Sequence, residues 1–363
     1  MKARAILLKI HLVLGLVGAV FLAILGLTGS VMAFEGDIDH WLHPGLFYVA
    51  PAASTLPEEE LIGAANQRFA PSRVNAVQIS RRPDIARVMQ TTGGVNVFVN
   101  PYNGSILGSV RGGFASDRII GYIHQIHLRL VPDPRSAPHF APIGKTIVSF
   151  AGLILCLLAP TGVILFLRTR RTAIKWNATW FRIFFDAHHV VGIYAALFLL
   201  IAAFTGIMIG FEWGERAIYA VTRSGPPART APVRSSFVAG AAPITADRVL
   251  EIAREAMPGA SVAGIFLPAN AQAVFTVLMR FPEDTSEAVH STVSIDQFSS
   301  KVLQCRNFLT DSAGYRVIRF NRSIHTGDVW GLPSHILVSV SSLALVVMVV
   351  TGLVIWWKKL AIL

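Results

Sequence analysis

The chain has 363 residues, of which 53% are hydrophobic and 15% charged, and its mean hydropathy is +0.55. This composition is too apolar for a soluble enzyme and too polar for a chain that lies entirely within a membrane. The formal net charge of +11 accompanies no nucleic-acid-binding motif, so we predict no nucleic-acid partner.

Four apolar runs are long enough to cross a bilayer, which takes roughly 20 helical residues. They cover residues 10–34, 142–167, 187–212 and 334–357. The first run is longer than the apolar region of a secretory signal, about 7–15 residues, and no small-residue cleavage site follows it. We therefore predict four membrane-spanning helices, the first of them uncleaved.

Basic residues predict the orientation of these helices. They precede the first span (Lys2, Arg4 and Lys9), join the second to the third (168–182), and follow the fourth (Lys358 and Lys359). Because lysine and arginine favour the cytoplasmic side, we predict that both termini are cytoplasmic. Two segments of roughly 100 residues then lie on the other side, where long segments can cross regardless of charge.

The two long segments between spans have similar patterns. Each opens with a helix-like stretch, at 56–71 and 244–259, and each later reaches a strand and turn, at 95–107 and 291–303. A helix packed on a small antiparallel sheet is the expected result in both cases.

The similarity extends to the apolar helices. Residues 9–35 align with residues 186–212 without a gap, which places His11 on His188 and one Thr-Gly pair on another. RIIGYIHQIH (118–127) aligns with RVIRFNRSIH (316–325), which places His127 on His325. The sequence thus predicts two parallel repeats of helix, outer module and helix, related by an axis along the membrane normal.

The predicted division of the chain follows from these patterns. It comprises transmembrane helices at 1–36, 142–168, 184–213 and 333–358, outer modules at 37–117 and 214–315, interfacial histidine segments at 118–141 and 316–332, and a cytoplasmic loop at 169–183. Pro132, Pro134, Pro138 and Pro142 separate His127 from the second span, and Pro333 separates His325 from the fourth.

Histidines in or beside apolar helices are costly and suggest function. The repeat places His11 opposite His188 near the inner face, and His127 opposite His325 near the outer face. Facing neutral imidazoles are the axial ligands of haem b, and the small Gly15 and Gly192 would leave room for a porphyrin. No CxxCH motif occurs, which excludes covalent c-type attachment. We predict two haem b groups with these four histidines as iron ligands.

Other ligands and roles remain open. Zinc is the alternative metal, although it prefers three or four ligands, and His189 is a less favoured substitute ligand. His124, His139 and His335 are weaker candidates, and His40, His43 and His290 are expected at the surface. Glu35 and Glu212 either mark the membrane interface or hold protons and haem propionates. A last set could bind an anionic ligand or the propionates: Arg111, Arg118, Arg316, Arg319 and Arg322.

The doubled H-x-x-x-G…TG…FE helix, alternating with small α+β modules, resembles the PepSY-associated transmembrane helix family over nearly the whole chain. That family includes di-haem ferric-siderophore reductases of the bacterial inner membrane. The resemblance implies an all-α membrane core with two α+β, PepSY-like periplasmic domains, and a haem-dependent oxidoreductase. Its acceptor would be a ferric siderophore or another periplasmic ferric chelate. The family usually has arginine after the histidine of the helix motif, where this chain has Leu12 and His189.

The electron donor must be a separate molecule, since the cytoplasmic parts are short loops without a nucleotide-binding segment. A cytoplasmic reductant and a membrane quinol both remain open, and membrane lipid is the expected surrounding. The alternative functions are an iron or siderophore permease and a periplasmic binding or regulatory protein. Transporters commonly bind their substrate near the middle of the membrane, between helices interrupted by glycine or proline. The sequence shows no such pair of interrupted helices, which argues against a permease.

Overall fold

The computed structural model describes residues 2–227, 231–236, 240–284 and 291–360. The chain forms two compact units. The helical unit comprises residues 1–35, 119–224 and 317–363, and the sheet unit comprises residues 36–118 and 225–316.

The described part contains eleven α-helices and eight strands. The helices are α1 (Lys2–Met32), α2 (Ile38–Leu42), α3 (Pro44–Phe47), α4 (Glu58–Arg68), α5 (Ala115–Arg129), α6 (Phe140–Thr169), α7 (Trp180–Gly210), α8 (Glu212–Val221), α9 (Ala246–Ala256), α10 (Ala313–Thr326) and α11 (Leu332–Leu360). The strands are β1 (Val74–Gln78), β2 (Arg87–Thr91), β3 (Val95–Val99), β4 (Ile106–Arg111), β5 (Ser261–Phe266), β6 (Phe275–Arg280), β7 (Ser291–Ile295) and β8 (Val302–Arg306).

Four of these helices, α1, α6, α7 and α11, are long and apolar enough to cross a membrane. This confirms the four predicted spans. The helices extend beyond the apolar runs; α1, for example, begins at Lys2 rather than near residue 10. Long basic side chains can join the ends of an apolar helix because their stems pack on apolar surface while the charged groups reach water.

Small residues bring the long helices close together. Each of α1 and α7 packs against both α6 and α11. Gly26 marks one close approach, since a Cβ atom there would lie 2.7 Å from the Ser342 carbonyl oxygen of α11. At mid-length the buried side chains are Leu22, Ala151, Leu155, Ala195, Leu199, Ala203 and Leu345. Small residues at such contacts are typical of helices that associate within a bilayer.

Two shorter helices carry the second pair of predicted ligands. His127 lies on α5, which ends at Arg129 before the proline-rich connection to α6, and His325 lies on α10, which ends before Pro333 in the first turn of α11. Proline lacks the N–H that continues a helix, so these breaks follow from the sequence. His127 is therefore separate from the second span, as predicted.

The sheet unit contains one continuous antiparallel sheet with the strand order β4-β3-β2-β1-β5-β6-β7-β8. Each predicted outer module supplies four of its strands. They join where Val77 of β1 pairs with Ile265 of β5. The two segments predicted as separate modules thus share one sheet, and their buried side chains form one apolar cluster with α4 and α9.

The two helices in this cluster cap each other. Asp247, in the first turn of α9, accepts hydrogen bonds from the backbone N–H groups of Glu58 and Glu59 at 2.8 and 3.0 Å. Glu59 in turn accepts the Ala246 N–H of α9 at 2.8 Å. Pro57, at the N-cap position of α4, supplies no side-chain cap. The start of α4 therefore depends on a carboxylate from the other half of the chain.

Substituting Asp247→Ala should destabilise α4 by about 1–2 kcal/mol, the usual cost of a lost N-cap. Amide hydrogen exchange across residues 58–68 should then accelerate by roughly 5- to 30-fold. Arg248→Ala is the matched control, since this neighbouring side chain is exposed and pairs with Glu251. Unchanged protection of α4 in Asp247→Ala would contradict the capping role.

Candidate functional site

Each of the four predicted ligands contacts a Thr-Gly pair on a neighbouring helix. His11 of α1 lies 2.9 Å from Thr161 of α6, measured from Nδ1 to Oγ1, and His188 of α7 lies 2.8 Å from Thr351 of α11. Both contacts join two long helices. They fix each imidazole at a defined level along the bundle.

The other two histidines repeat this contact from the short helices. His127 Nδ1 of α5 lies 2.8 Å from Thr28 Oγ1 of α1, and His325 Nδ1 of α10 lies 2.9 Å from Thr205 Oγ1 of α7. Asn321 further anchors α10, because its Nδ2 donates to the Thr205 carbonyl oxygen at 3.2 Å. All four histidines are thus held by the same type of contact.

The glycine after each threonine lies beside the histidine ring. A Cβ atom at Gly29, Gly162, Gly206 or Gly352 would lie 3.1 to 3.4 Å from the Cε1 atom of the adjoining histidine. A larger residue would therefore crowd the ring. Each of the four positions combines a hydrogen-bond partner with space for the imidazole.

His127 and His325 lie close to each other. Their ring centroids are 6.4 Å apart and their planes are inclined by 58°. Burial lowers the pKa of His127 to about 3, with smaller effects from His325 and His124, and burial also lowers the pKa of His325. Both rings are therefore neutral at pH 7, which is the form that binds metals.

The spacing of this pair fits a single metal ion held between two imidazoles. A metal–imidazole bond is about 2.0–2.1 Å long. Two such bonds, extended from each coordinating nitrogen to the centre of its ring, place the two ring centres roughly 6 Å apart. The 6.4 Å between the ring centres of His127 and His325 is close to this value, so the pair is compatible with an iron ion bound between the two rings. Among the described residues, no group of three or more metal-binding side chains converges; the zinc alternative stays untested.

His11 and His188 lie at the other end of the bundle. On α1, Thr28, the residue that contacts His127, lies 17 positions after His11; on α7, Thr205 lies 17 positions after His188. At 1.5 Å per residue this is about 26 Å of helix. We call His11 and His188 the inner pair and His127 and His325 the outer pair, after the sides of the membrane that the sequence predicts for them.

The two glycines predicted to make room beside the inner pair differ. A Cβ atom at Gly15 would meet nothing within 4 Å, whereas one at Gly192 would lie 2.8 Å from Cε of Met348. Open space therefore adjoins only Gly15. The room predicted at Gly192 is occupied by the end of a flexible methionine side chain.

The remaining histidines have other contacts. His189 Nδ1 lies 2.8 Å from the carbonyl oxygen of Phe185 in its own helix, and His124 Nδ1 lies 3.1 Å from Glu35. His335 Nε2 lies 3.4 Å from Asp328. His139 is the N-cap residue of α6.

His40 and His43 are half-buried and stack on Phe47 and Phe114, with centroids 4.1 and 4.2 Å apart. These two histidines, expected at the surface, are thus partly covered by neighbouring aromatic rings. His290 and the side chain of Lys359 lie outside the described residues.

The predicted anionic-ligand residues lie on different elements. Arg111 of β4 donates to the Gly93 carbonyl oxygen at 3.2 Å. Arg118, Arg316 and Arg322 are exposed, and Arg319 is half-buried. Glu212 is exposed at the start of α8. Their proposed roles toward propionates or an anionic ligand stay predictions.

Asp186, near the inner pair in sequence, was not singled out by the sequence analysis. It is only 1% exposed and accepts hydrogen bonds from Arg182 at 2.9 Å and Arg171 at 3.2 Å. Its Oδ2 lies 3.4 Å from the Lys175 backbone nitrogen. Asp186 thus ties the basic loop 170–179 to α7. In the sequence, Asp186 stands next to an apolar run and close to three basic residues. This combination could have indicated a buried carboxylate, since a buried charge needs oppositely charged or hydrogen-bonding partners.

These features define a class: a membrane protein with four long apolar helices, an antiparallel sheet domain and paired histidines held on Thr-Gly positions. A family model described as the PepSY-associated TM region matches residues 8–359. The chain therefore belongs to this family, which confirms the resemblance seen in the sequence. Comparison with curated proteins gave no match.

Proposed function

We propose that this protein is a di-haem b oxidoreductase of the bacterial inner membrane. His11 and His188 would hold the inner haem, and His127 and His325 the outer one. Haem b supplies one-electron exchange between ferrous and ferric iron. The observation that carries the proposal is the 6.4 Å spacing of the neutral His127 and His325 rings, together with an equivalent His–Thr contact at each member of the inner pair.

The proposed reaction moves electrons from the cytoplasmic side to a periplasmic acceptor. The basic clusters at the inner helix ends support this orientation. The acceptor we propose is a ferric siderophore or another ferric chelate, from which reduction releases Fe(II). Each Fe(III) takes one electron, so the reaction requires no acid or base from the chain. A cytoplasmic reductant or a membrane quinol supplies the electrons.

The purified protein should contain two b-type haems per chain. A pyridine haemochrome assay, combined with a protein determination, measures this ratio directly, and the absorption spectrum should show a Soret band. One haem per chain would limit the proposal to a single pair of histidines. A protein produced with ample haem that bound none would refute the proposal and favour a permease or a regulatory protein.

A further inference from the structure

The four threonines that contact the histidines share a second hydrogen bond. Each hydroxyl lies 2.7 to 2.8 Å from the carbonyl oxygen four residues earlier in its own helix. The donor–acceptor pairs are Thr28 to Ile24, Thr161 to Leu157, Thr205 to Ile201 and Thr351 to Val347. Two oxygens at this distance repel each other unless a proton lies between them. A carbonyl oxygen has no proton, so the threonine hydroxyl must be the donor.

This bond determines the tautomer of each histidine. A hydroxyl has one proton and can otherwise only accept. Because that proton is directed at the carbonyl oxygen, Oγ1 can only accept from the imidazole. Nδ1 of each histidine must then carry the proton. In the neutral ring, the lone pair is left on Nε2.

We infer that Thr28, Thr161, Thr205 and Thr351, each with its following glycine, are positioning residues that fix the Nδ1–H tautomer and direct Nε2 toward the haem iron. This inference rests on the proposed function. A ligating histidine commonly donates its other N–H to a fixed acceptor, which orients the ring and makes it a stronger ligand. Thr28 and Thr205 act on the outer haem, whereas Thr161 and Thr351 act on the inner haem.

Thr205→Val tests the inference because valine keeps the shape of threonine and removes the acceptor. The outer haem should bind about 10- to 100-fold more weakly, as expected for the loss of such a partner. Its midpoint potential should rise, because an imidazole without a hydrogen-bonded N–H donates less charge to ferric iron. Redox titration and electron paramagnetic resonance of the ferric haems would measure both changes. The inner haem should be unaffected.

Three variants serve as comparisons. Thr205→Ser keeps the hydroxyl and should retain wild-type affinity and potential, while Thr351→Val should affect the inner haem alone. Thr146→Val is the matched control. Thr146 also donates to a carbonyl oxygen of its own helix, at 3.1 Å from Pro142, and makes no hydrogen bond to a histidine among the described residues.

Gly206→Ala tests the same position by a different route. The new methyl group would lie 3.1 Å from His325 Cε1, so the ring must move and the outer haem should be weakened. Gly121→Ala is its control, since a Cβ atom there meets nothing within 4 Å. Circular dichroism of the haem-free variants checks that each is folded.

The outcomes separate the two proposals. A wild-type protein without haem would refute the proposed function. A wild-type protein with two haems, in which Thr205→Val changed neither affinity nor potential, would refute only the positioning role. Thr205→Ser behaving like Thr205→Val would also refute that role, because it would show that the threonine methyl group, not its hydroxyl, supports the histidine.

Discussion

Replacing His325 with alanine is expected to remove one b-type haem and leave the other as a six-coordinate, low-spin haem. His127→Ala should remove the same haem, because these two rings lie only 6.4 Å apart. His11→Ala and His188→Ala should each remove the other haem. Haem content and the ferric electron paramagnetic resonance spectrum of each variant would distinguish the two sites.

Double variants test the pairing itself. His127→Ala combined with His325→Ala should retain one haem, whereas His11→Ala combined with His127→Ala should retain none. A bis-histidine haem that survived in the second combination would show that the pairs are wrong. His189→Ala is the matched control. Its ring adjoins His188 in sequence but is bonded to the Phe185 carbonyl of its own helix, so both haems should remain.

Electron transfer to an external acceptor is expected to require both pairs. The protein would be oriented in liposomes, reduced, and mixed with a membrane-impermeant ferric siderophore on the outer face, while haem absorbance is followed. Wild-type haem should reoxidise and Fe(II) should appear outside. In His325→Ala the inner haem should stay reduced, because about 26 Å of helix separates it from the outer pair. Its rate of reoxidation should not exceed the rate caused by leakage of the liposomes.

His189→Ala again provides the control, since it should reoxidise at the wild-type rate. Reoxidation of His325→Ala at the wild-type rate would contradict transfer through the two pairs in series. If a different ferric chelate, but not a siderophore, reoxidised the wild-type protein rapidly, the proposed transfer route would stand. The proposed siderophore acceptor would then be wrong.

The long helices and their breaks could be predicted from the sequence because each depends on local chemistry. Apolar runs mark the four spans, and the prolines after His127 mark the end of α5. The predicted ends of these helices were less accurate than their positions. An apolar run shows which residues suit the membrane interior, but Lys2 and Arg4 can continue the same helix beyond it.

The shared sheet could not be predicted in the same way. Val77 and Ile265 belong to strands that are far apart in the chain, and each strand also pairs with a strand of its own half. Their pairing depends on how the two halves meet. The cap that Asp247 provides for α4 depends on the same arrangement, because its partner residues lie 188 and 189 positions away in sequence.

The candidate site was predictable as a set of residue types but not as a set of contacts. The repeat identified the four histidines, and it also contained the four Thr-Gly pairs. The partner of each histidine depends on which helices are neighbours and at what level they cross. The sequence alone does not determine that His11 meets Thr161 of α6 rather than Thr351 of α11.

The apolar middle of the bundle has a consequence for the energetics of the proposed reaction. Residues 12–27, 147–160, 190–204 and 336–350 include no Asp, Glu, Lys or Arg, so these segments offer no charged side chain to carry a compensating proton alongside an electron. Each electron that crosses would therefore move a net charge through the bilayer, at about 2.3 kcal/mol per 100 mV. A cell interior that is negative drives electrons outward. Turnover should therefore be electrogenic. The rate of acceptor reduction should rise with the membrane potential and fall when an ionophore abolishes that potential.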